Sequence, residues 1–546
     1  MTPDAPRAAR WTTGSFADAE GFLAVPVRAV RSRASDPPAT PVDGVETHLH
    51  GWAAVRISRW HFVVVVLVCL GATHPSVAQD SLQPEGWDAG VKLPEAVDRN
   101  PDPQIVEINL DARIARVEIA PGQVVEAWTY NGSLPGPLIR VRVGQRLIVH
   151  FTNALPSPTT VHWHGLRVPF RMDGVPGYSQ PDVKPGESFT YDFVLPDAGL
   201  YWYHPHIMSA AQVGFGLYGA LLVDDPRETV GVADELVLVL SDIALGADGT
   251  LEPPDSGGSI GTVFGREGAH LLVNGRKQPT LRVRAGAPQR WRIVNTAKSR
   301  YFDLDLGGPS FTLIGGDGGL QEYAVTRDAL VLAPGERADV LVTPPVAPGK
   351  TMALGSVIVN RGFGSFEARI PYDDLMTIAA VDLPAYVAAP RPEVRRSIEP
   401  LPQAGATAID LEMTLTQAPD EPPVYSLRGP LSSSGHHTVR ARVGETQIWS
   451  VTNTTVWSHP LHLHGFFFQV LDEKGAPARP LAWKDTVDIP FEKTVRLIVR
   501  FDDREGVAGN WMLHCHILDH AEGGLMGLVD VGDAETHIAG GHAASH

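Results

Sequence analysis

Three stretches of the chain carry the same pattern of apolar and polar positions: LIRVRVGQRLIVHFTNAL (138–155), TLRVRAGAPQRWRIVNTA (280–297) and TVRARVGETQIWSVTNTT (438–455). Each alternates with period two, breaks at a glycine (Gly144, Gly286, Gly444), alternates again and reaches an asparagine nine positions on (Asn153, Asn295, Asn453). Side chains of a strand point alternately to its two faces, so the pattern predicts two half-buried strands on either side of a turn. Recurrence at about 150 residues is too long for a solenoid and predicts three copies of one β-domain. A second echo, KPGESFTYDFVL (184–195) against APGERADVLVT (333–343), supports the repeat.

The predicted fold is all-β, a series of Greek-key sandwiches. Long helical periodicity is scarce, and 54 glycines and 46 prolines punctuate the chain. LPAYVAAPRPEVRRSIEPLPQAGA (383–406) reads as a Pro-rich linker before the third copy, and DDPRETVGV (224–232) as a shorter boundary before the second.

Upstream of the first copy, the apolar run HFVVVVLVCLGA follows Arg56 and Arg59 and leads into HPSVAQ. A positive flank, a short apolar core and the small residues Ser76 and Ala78 predict a secretory signal cleaved after Ala78. At about eleven residues the run is too short for a stable bilayer anchor, so no membrane insertion is expected after cleavage. No Arg-Arg pair precedes it, which favours the general secretion route over the twin-arginine one. The protein is therefore expected in the periplasm or outside the cell. Residues 1–54 are polar, Pro-rich and non-periodic, and we read them as an over-called start with Val55 as the alternative first residue, in preference to a long natural leader.

The formal net charge of −17 argues against nucleic acid or an anionic membrane as partner. The chain has two cysteines, Cys69 inside the signal and Cys515. Cleavage leaves Cys515 without a partner for an intrachain disulfide. A lone thiol in an oxidising compartment calls for an occupant, and a metal would serve.

Four histidine clusters stand out: HWH (162–164), HPH (204–206), HPLHLH (459–464) and HCHILDH (514–520). Two fall in the first copy and two in the third; the second holds only His270. On a strand, His-x-His sends both imidazoles to one face and the middle residue to the other. His514 and His516 would then face one site and Cys515 another. A thiolate with two imidazoles is the donor set of a blue-copper electron-transfer centre, which His459, Cys515 and His520 can supply. Zinc accepts the same donors but has no use for eight further paired histidines. A single His-x-His is most often a surface or structural pair; four such clusters, one holding a cysteine, point to a multi-metal site.

HWHG, YHPH, HPLHLHG and HCHILDH match, in order, the four copper-binding motifs of the multicopper oxidases, the laccase-like family; NGSLPGPLIR (131–140) also resembles that family's first-domain strand. The resemblance spans roughly 100–532. It implies three cupredoxin-like domains: domain 1 at 79–226, domain 2 at 227–384, a linker at 385–406 and domain 3 at 407–534, with a His-containing tail at 535–546. It also implies four coppers per chain, one type 1, one type 2 and two type 3. By motif position the type 1 ligands are His459, Cys515 and His520; type 2 takes His162 and His462; the type 3 pair takes His164, His204, His206, His464, His514 and His516. The implied reaction is four one-electron oxidations of a small-molecule donor coupled to reduction of O2 to water, with His459 facing the donor. A monomer is expected.

Two positions depart from many bacterial relatives. The axial methionine slot, five residues after the last type 1 histidine, holds Leu525, a non-coordinating residue, with Met526 next. The glutamate expected directly after that histidine is Ala521, flanked by Asp519 and Glu522 as substitute acids. The family's first acid corresponds to Asp173 in RMDGVPG, whose alternative reading is a turn aspartate before glycine. Asp485 and Asp488 in KDTVDIP are expected to be structural. The expected activity is a laccase-like oxidation of phenols, aromatic amines or related donors. The alternatives are a metal oxidase for Cu(I), Mn(II) or Fe(II), against which the absence of a Met-rich segment counts, and a non-enzymatic cell-envelope protein, against which the full ligand set counts. The tail ETHIAGGHAASH carries three more histidines and is expected to be disordered, with copper capture as the alternative role.

Overall fold

Each glycine of the repeated pattern turns the chain from one sheet into another. In the computed structural model, Gly136–Arg142 pairs in parallel with Gly219–Asp224, whereas Arg146–Asn153 pairs in parallel with Ile105–Ala120 in a different sheet. The second copy repeats this: Thr280–Arg284 lies beside Asp373–Val381, and Gln289–Asn295 beside Asp234–Ile243. So does the third, with His437–Ala441 beside Met526–Val531 and Thr446–Asn453 beside Thr407–Thr416. The expected strand pair is therefore not a hairpin. It is a corner joining the two layers of a sandwich, and Gly144, Gly286 and Gly444 make it with φ of 86°, 65° and 82°. The structure describes residues 91–532 apart from 229, 233, 346, 363–372, 382–395, 417–422 and 435–436. The signal-like segment, Cys69, most of the Pro-rich linker and the histidine-bearing tail lie outside the described residues.

The described strands form six sheets, two per copy, with four and four, six and five, and five and five strands. The fold is all-β, three cupredoxin-like sandwiches in series. The three asparagines do one job. Asn153 donates from Nδ2 to Ser157 O and Val183 O and accepts from Leu155 N. Asn295 does the same with Arg300 O, Leu332 O and Ala297 N, and Asn453 with Trp457 O, Ile489 O and Thr455 N. All three are buried. Asn295 and Asn453 knot the loop after their strand to a strand of the opposite sheet, at Leu332 and Ile489, and Asn153 knots its loop to the bridge residue Val183; the loss of any one would strand several buried polar groups at about 1–3 kcal/mol each.

The middle copy departs from the half-buried expectation. Gln289–Asn295 is buried on both faces. Trp291 and Ile293 fill the second sandwich, while Val294 packs outward with Val239 against Trp202 and Ala220 of the first. The polar positions Arg290 and Arg292 are buried too, paired with Asp339 and Asp224 respectively. An interface between sandwiches covers the face that the pattern marked as solvent.

Three short helices sit where the sandwiches meet: α1 (Ser209–Gly214), α2 (Gly258–Phe264) and α3 (Leu518–Glu522). Among the described residues no helix is long and apolar enough to cross a membrane.

Candidate metal centre

Strand pairing brings the four histidine clusters together. His162–His164 runs antiparallel to Gly199–His204, setting His162 opposite His204. His459–Leu463 runs antiparallel to Gly509–Cys515, setting His462 opposite His514 and Leu461 opposite Cys515. Period-two alternation then divides the side chains. Trp163 enters the first core, and Leu461, Leu463 and Cys515 enter the third. The imidazoles of His162, His164, His204, His206, His462, His464, His514 and His516 all turn into one space between the first and third sandwiches. There His162 stacks on His464 with centroids 3.9 Å apart, and His164 on His462 at 3.7 Å.

Their hydrogen bonds decide which ring nitrogens are free. His162 donates from Nδ1 to Asp173 O at 2.7 Å, His204 to Pro205 O at 3.0 Å, His462 to Asp485 O at 3.0 Å and His514 to Cys515 O at 2.8 Å. A proton on Nδ1 leaves a lone pair on Nε2. Accordingly Nε2 of His162, His204, His206, His462 and His516 is buried with no hydrogen-bond partner. His164 is reversed: its Nε2 meets Thr486 Oγ1 at 3.2 Å, and its Nδ1 is the orphan. His464 donates from Nδ1 to Asp173 Oδ2 at 2.9 Å, so its Nε2 faces His514 Nε2, lone pair to lone pair, at 3.1 Å. Buried orphan acceptors cost free energy unless something occupies the space between them. Burial also pushes the pKa values of His164, His204, His206, His462, His464, His514 and His516 down, that of His514 to about 3, so these imidazoles are neutral, the form that binds metal.

A second centre lies behind Cys515. His459 Nδ1 and His520 Nδ1 are 3.0 Å apart, and Cys515 Sγ is 3.6 Å and 3.9 Å from them. Burial raises the thiol's pKa well above its usual value and lowers that of His459 to about 3. Leu525 is fully buried in the core that holds Cys515, and its carbonyl accepts from Cys515 N at 2.9 Å. Met526, next in the chain, is 37% exposed.

A His459 that faces the donor, as the resemblance implies, would need an exposed edge, and His459 has none. His459 is 0% exposed, and its Nε2 donates to Thr455 Oγ1 at 2.8 Å. The second sandwich supplies the cover at His520, whose Nε2 donates to Val263 O at 3.1 Å. Tyr425 stacks on His520 with centroids 4.5 Å apart and donates its hydroxyl to the same carbonyl. Phe264, at the end of α2, packs on Trp457.

The acids separate in the same way. Asp173 is buried between His162 and His464 as described. Asp519 has both oxygens engaged from the second sandwich, by Arg266 and Ser299, so it ties α3 down instead of standing open to the histidines. Glu522 is exposed along its stem, but its carboxylate accepts from Ala210 N at 2.9 Å at the start of α1, just past His206. Desolvation there raises its pKa. Asp488 accepts from the Tyr301 hydroxyl, and burial pushes it up to about 6.

Sequence reasoning gave Asp485 a structural part, and the structure gives it more. Its Oδ1 is 3.2 Å from His164 Nε2 and 3.4 Å from His462 Nδ1. Burial opposes its charge, but the guanidinium of Arg337 beside it holds the carboxyl well below the usual range. Arg337 lies in the APGER echo, whose spacing showed the repeat but not the contact.

Multicopper oxidase family models match residues 113–228, 234–353 and 406–535. The multicopper oxidase MmcO of Mycobacterium tuberculosis is 31% identical over 82% of this chain and 90% of its own length. A laccase of Bacillus subtilis is 28% identical over 74% and 90%. Among solved structures, a multicopper oxidase of Campylobacter jejuni described as a metallo-oxidase matches with TM-score 0.71 and 26% identity, covering 84% of this chain and 97% of that one. One from Pseudomonas thermotolerans matches with TM-score 0.66 and 32% identity, covering 78% and 99%.

Proposed function

The chain belongs to the multicopper oxidase family, a copper-binding oxidoreductase acting with O2, and on that premise we propose that its donors are small organic reductants, phenols and aromatic amines among them. The residues fit the metal by their own chemistry: nine buried imidazoles, the half-buried His206 and one buried thiol, with unpartnered ring nitrogens and groups of ligand atoms within 4.8 Å of one another. In our assignment His459, Cys515 and His520 would hold the type 1 copper, with the non-coordinating Leu525 buried in the same core. His162 and His462 hold type 2, and His164, His204, His206, His464, His514 and His516 hold the type 3 pair. Copper in these places supplies one-electron storage at the cysteine centre and the multi-electron reduction of O2 at the histidine centre.

The protein's own part is arrangement. Cys515 sits between His514 and His516, so one peptide unit on either side links the donor-facing centre to the other. Asp173 holds a proton-accepting oxygen against His464 Nδ1, where it can relay protons to a buried space; Glu522, with its raised pKa, is placed to feed protons from the α1 side. We also propose export, on the signal-like segment before residue 79.

The observation that carries the reading is the opposed facing of Cys515 and its two flanking histidines. A second reading, oxidation of a metal ion such as Cu(I), Mn(II) or Fe(II), draws on the closed surroundings of both type 1 imidazoles, which favour small donors. O2 uptake by copper-loaded protein separates them when recorded with a dimethoxyphenol, an aromatic amine, Cu(I), Mn(II) and Fe(II) in turn. Turnover with the organic donors is expected; turnover with metal ions alone would overturn the first reading in favour of the second.

A further inference from the structure

The second sandwich supplies no histidine to either centre, yet one of its side chains reaches the edge of the histidine-lined one. Arg337 begins the strand Arg337–Val342 and is fully buried. Its guanidinium has five N–H donors, and all five are used. Nε donates to Leu200 O at 3.1 Å, in the first-sandwich strand that carries His204. Nη1 donates to Gly335 O at 3.0 Å and to Asp485 Oδ1 at 2.7 Å. Nη2 donates to Asp317 O at 3.0 Å and to Asp485 Oδ2. One planar group therefore bonds all three sandwiches.

Asp485 passes this constraint on. Its Oδ1 touches His164 and His462 and accepts from Thr486 Oγ1 at 2.9 Å, and Thr486 Oγ1 in turn lies 3.2 Å from His164 Nε2 and 3.1 Å from His462 Nδ1. The turn before Arg337 closes in from the other side: a Cβ at Gly335 would stand 3.0 Å from His164 Cε1 and 3.1 Å from His516 Cδ2. Glycine is what lets that backbone approach, at φ of 87°.

We propose that Arg337 is a positioning residue for the histidine-lined centre, orienting His164 and His462 through Asp485, so that the ligand-free second sandwich sets the geometry of a site built from the other two. The proposal rests on the copper assignment above. Lysine keeps the charge but has three donors on one atom, and cannot bond Leu200, Asp317 and both oxygens of Asp485 together. Groups that orient metal ligands typically matter about 10- to 100-fold in metal affinity.

The test uses the copper-loaded full chain and two variants, Arg337→Lys and the double variant Arg337→Met with Asp485→Asn, in which no buried charge is left unpaired. Type 2 copper affinity is read by chelator competition, its coordination by the hyperfine splitting of its electron paramagnetic resonance signal, and the type 1 centre by its blue absorption. The expected result in both is an unchanged blue band, an altered type 2 splitting and a type 2 affinity lower by about 10-fold. Wild-type type 2 splitting and affinity in both variants would overturn the proposal. Loss of the blue band in Arg337→Lys would also overturn it, by making Arg337 a folding residue. A wild-type protein with no blue band would fail the copper assignment itself, a separate outcome.

Discussion

Leu525 and Met526 are neighbours with opposite surroundings, and the difference has a redox consequence. Leu525 is buried beside Cys515, while Met526 is exposed at the start of its strand. A thioether at weak axial distance would donate electron density and stabilise Cu(II); an alkyl group donates none. Leu525→Met should therefore lower the type 1 potential by about 0.1 V, equivalent to about 2.3 kcal/mol for one electron, and Met526→Leu should leave it in place. Redox titration of the blue band checks both; a large rise in Met526→Leu with no response in Leu525→Met would reverse the assignment. Asp173 offers a second single-residue test. Asparagine can still bond His464 but cannot take up and release a proton at Oδ2. Asp173→Asn should slow O2 reduction on the order of 100-fold while the type 1 centre is still reduced by donor at the normal rate. Stopped-flow reduction and reoxidation separate the two steps, and unchanged reoxidation would leave Asp173 as a turn residue.

At the scale of elements, the sequence was most legible where the signal is local to one strand. The alternation in His514–Cys515–His516 is local, so the split between two centres follows from two-residue periodicity alone. The repeated asparagines were legible as a mark of the repeat, although their shared role as knots between loops and sheets was not. What stayed hidden is carried by contacts between distant segments. Arg337 and Asp485 are 148 positions apart and Val263 and His520 are 257 apart, and no periodicity links them. That a donor-facing His459 would lack an exposed edge was hidden for that reason: α2 and its flanks arrive from another sandwich. This cover should select donors by size. Phe264→Ala removes its packing on Trp457 and should raise kcat/KM for bulky sulfonated aromatics by roughly 10-fold. Small metal ions and the blue band should be unaffected. Equal changes for large and small donors would show that the cover does not act as a size filter.

The whole molecule packs ten imidazoles among three sandwiches and must keep most of them neutral, and that sets its response to acid. Nine of the ten have pKa values lowered chiefly by burial, His459 and His514 from the ordinary 6.5 to about 3. Between those limits the unfolded chain binds more protons than the folded one, so stability rises with pH and is lost as pH falls below about 6.5. Each such group contributes about 1.4 kcal/mol per pH unit. Asp488, raised to about 6, and Asp111, Asp242, Asp303, Asp317 and Glu522, also raised by burial, work in the opposite sense, while the lowered carboxyls, Asp485 among them, work in the same sense as the nine imidazoles. Domains have only about 5–15 kcal/mol to lose, so the copper-free protein should open at the histidine-lined centre well before every imidazole could charge in place. Copper binds only the neutral rings, and a ligand that binds the folded state alone stabilises it in proportion to the logarithm of its concentration over Kd. The copper-loaded protein should therefore unfold at a higher midpoint than the copper-free protein throughout pH about 7.5 to about 5, and, because its rings bind no more protons than those of the copper-free fold, both midpoints should fall in parallel over that interval. Calorimetry of both forms across that range decides the matter. A flat midpoint for the copper-free form would mean that water already reaches these imidazoles without copper, and that burial is not what keeps them neutral.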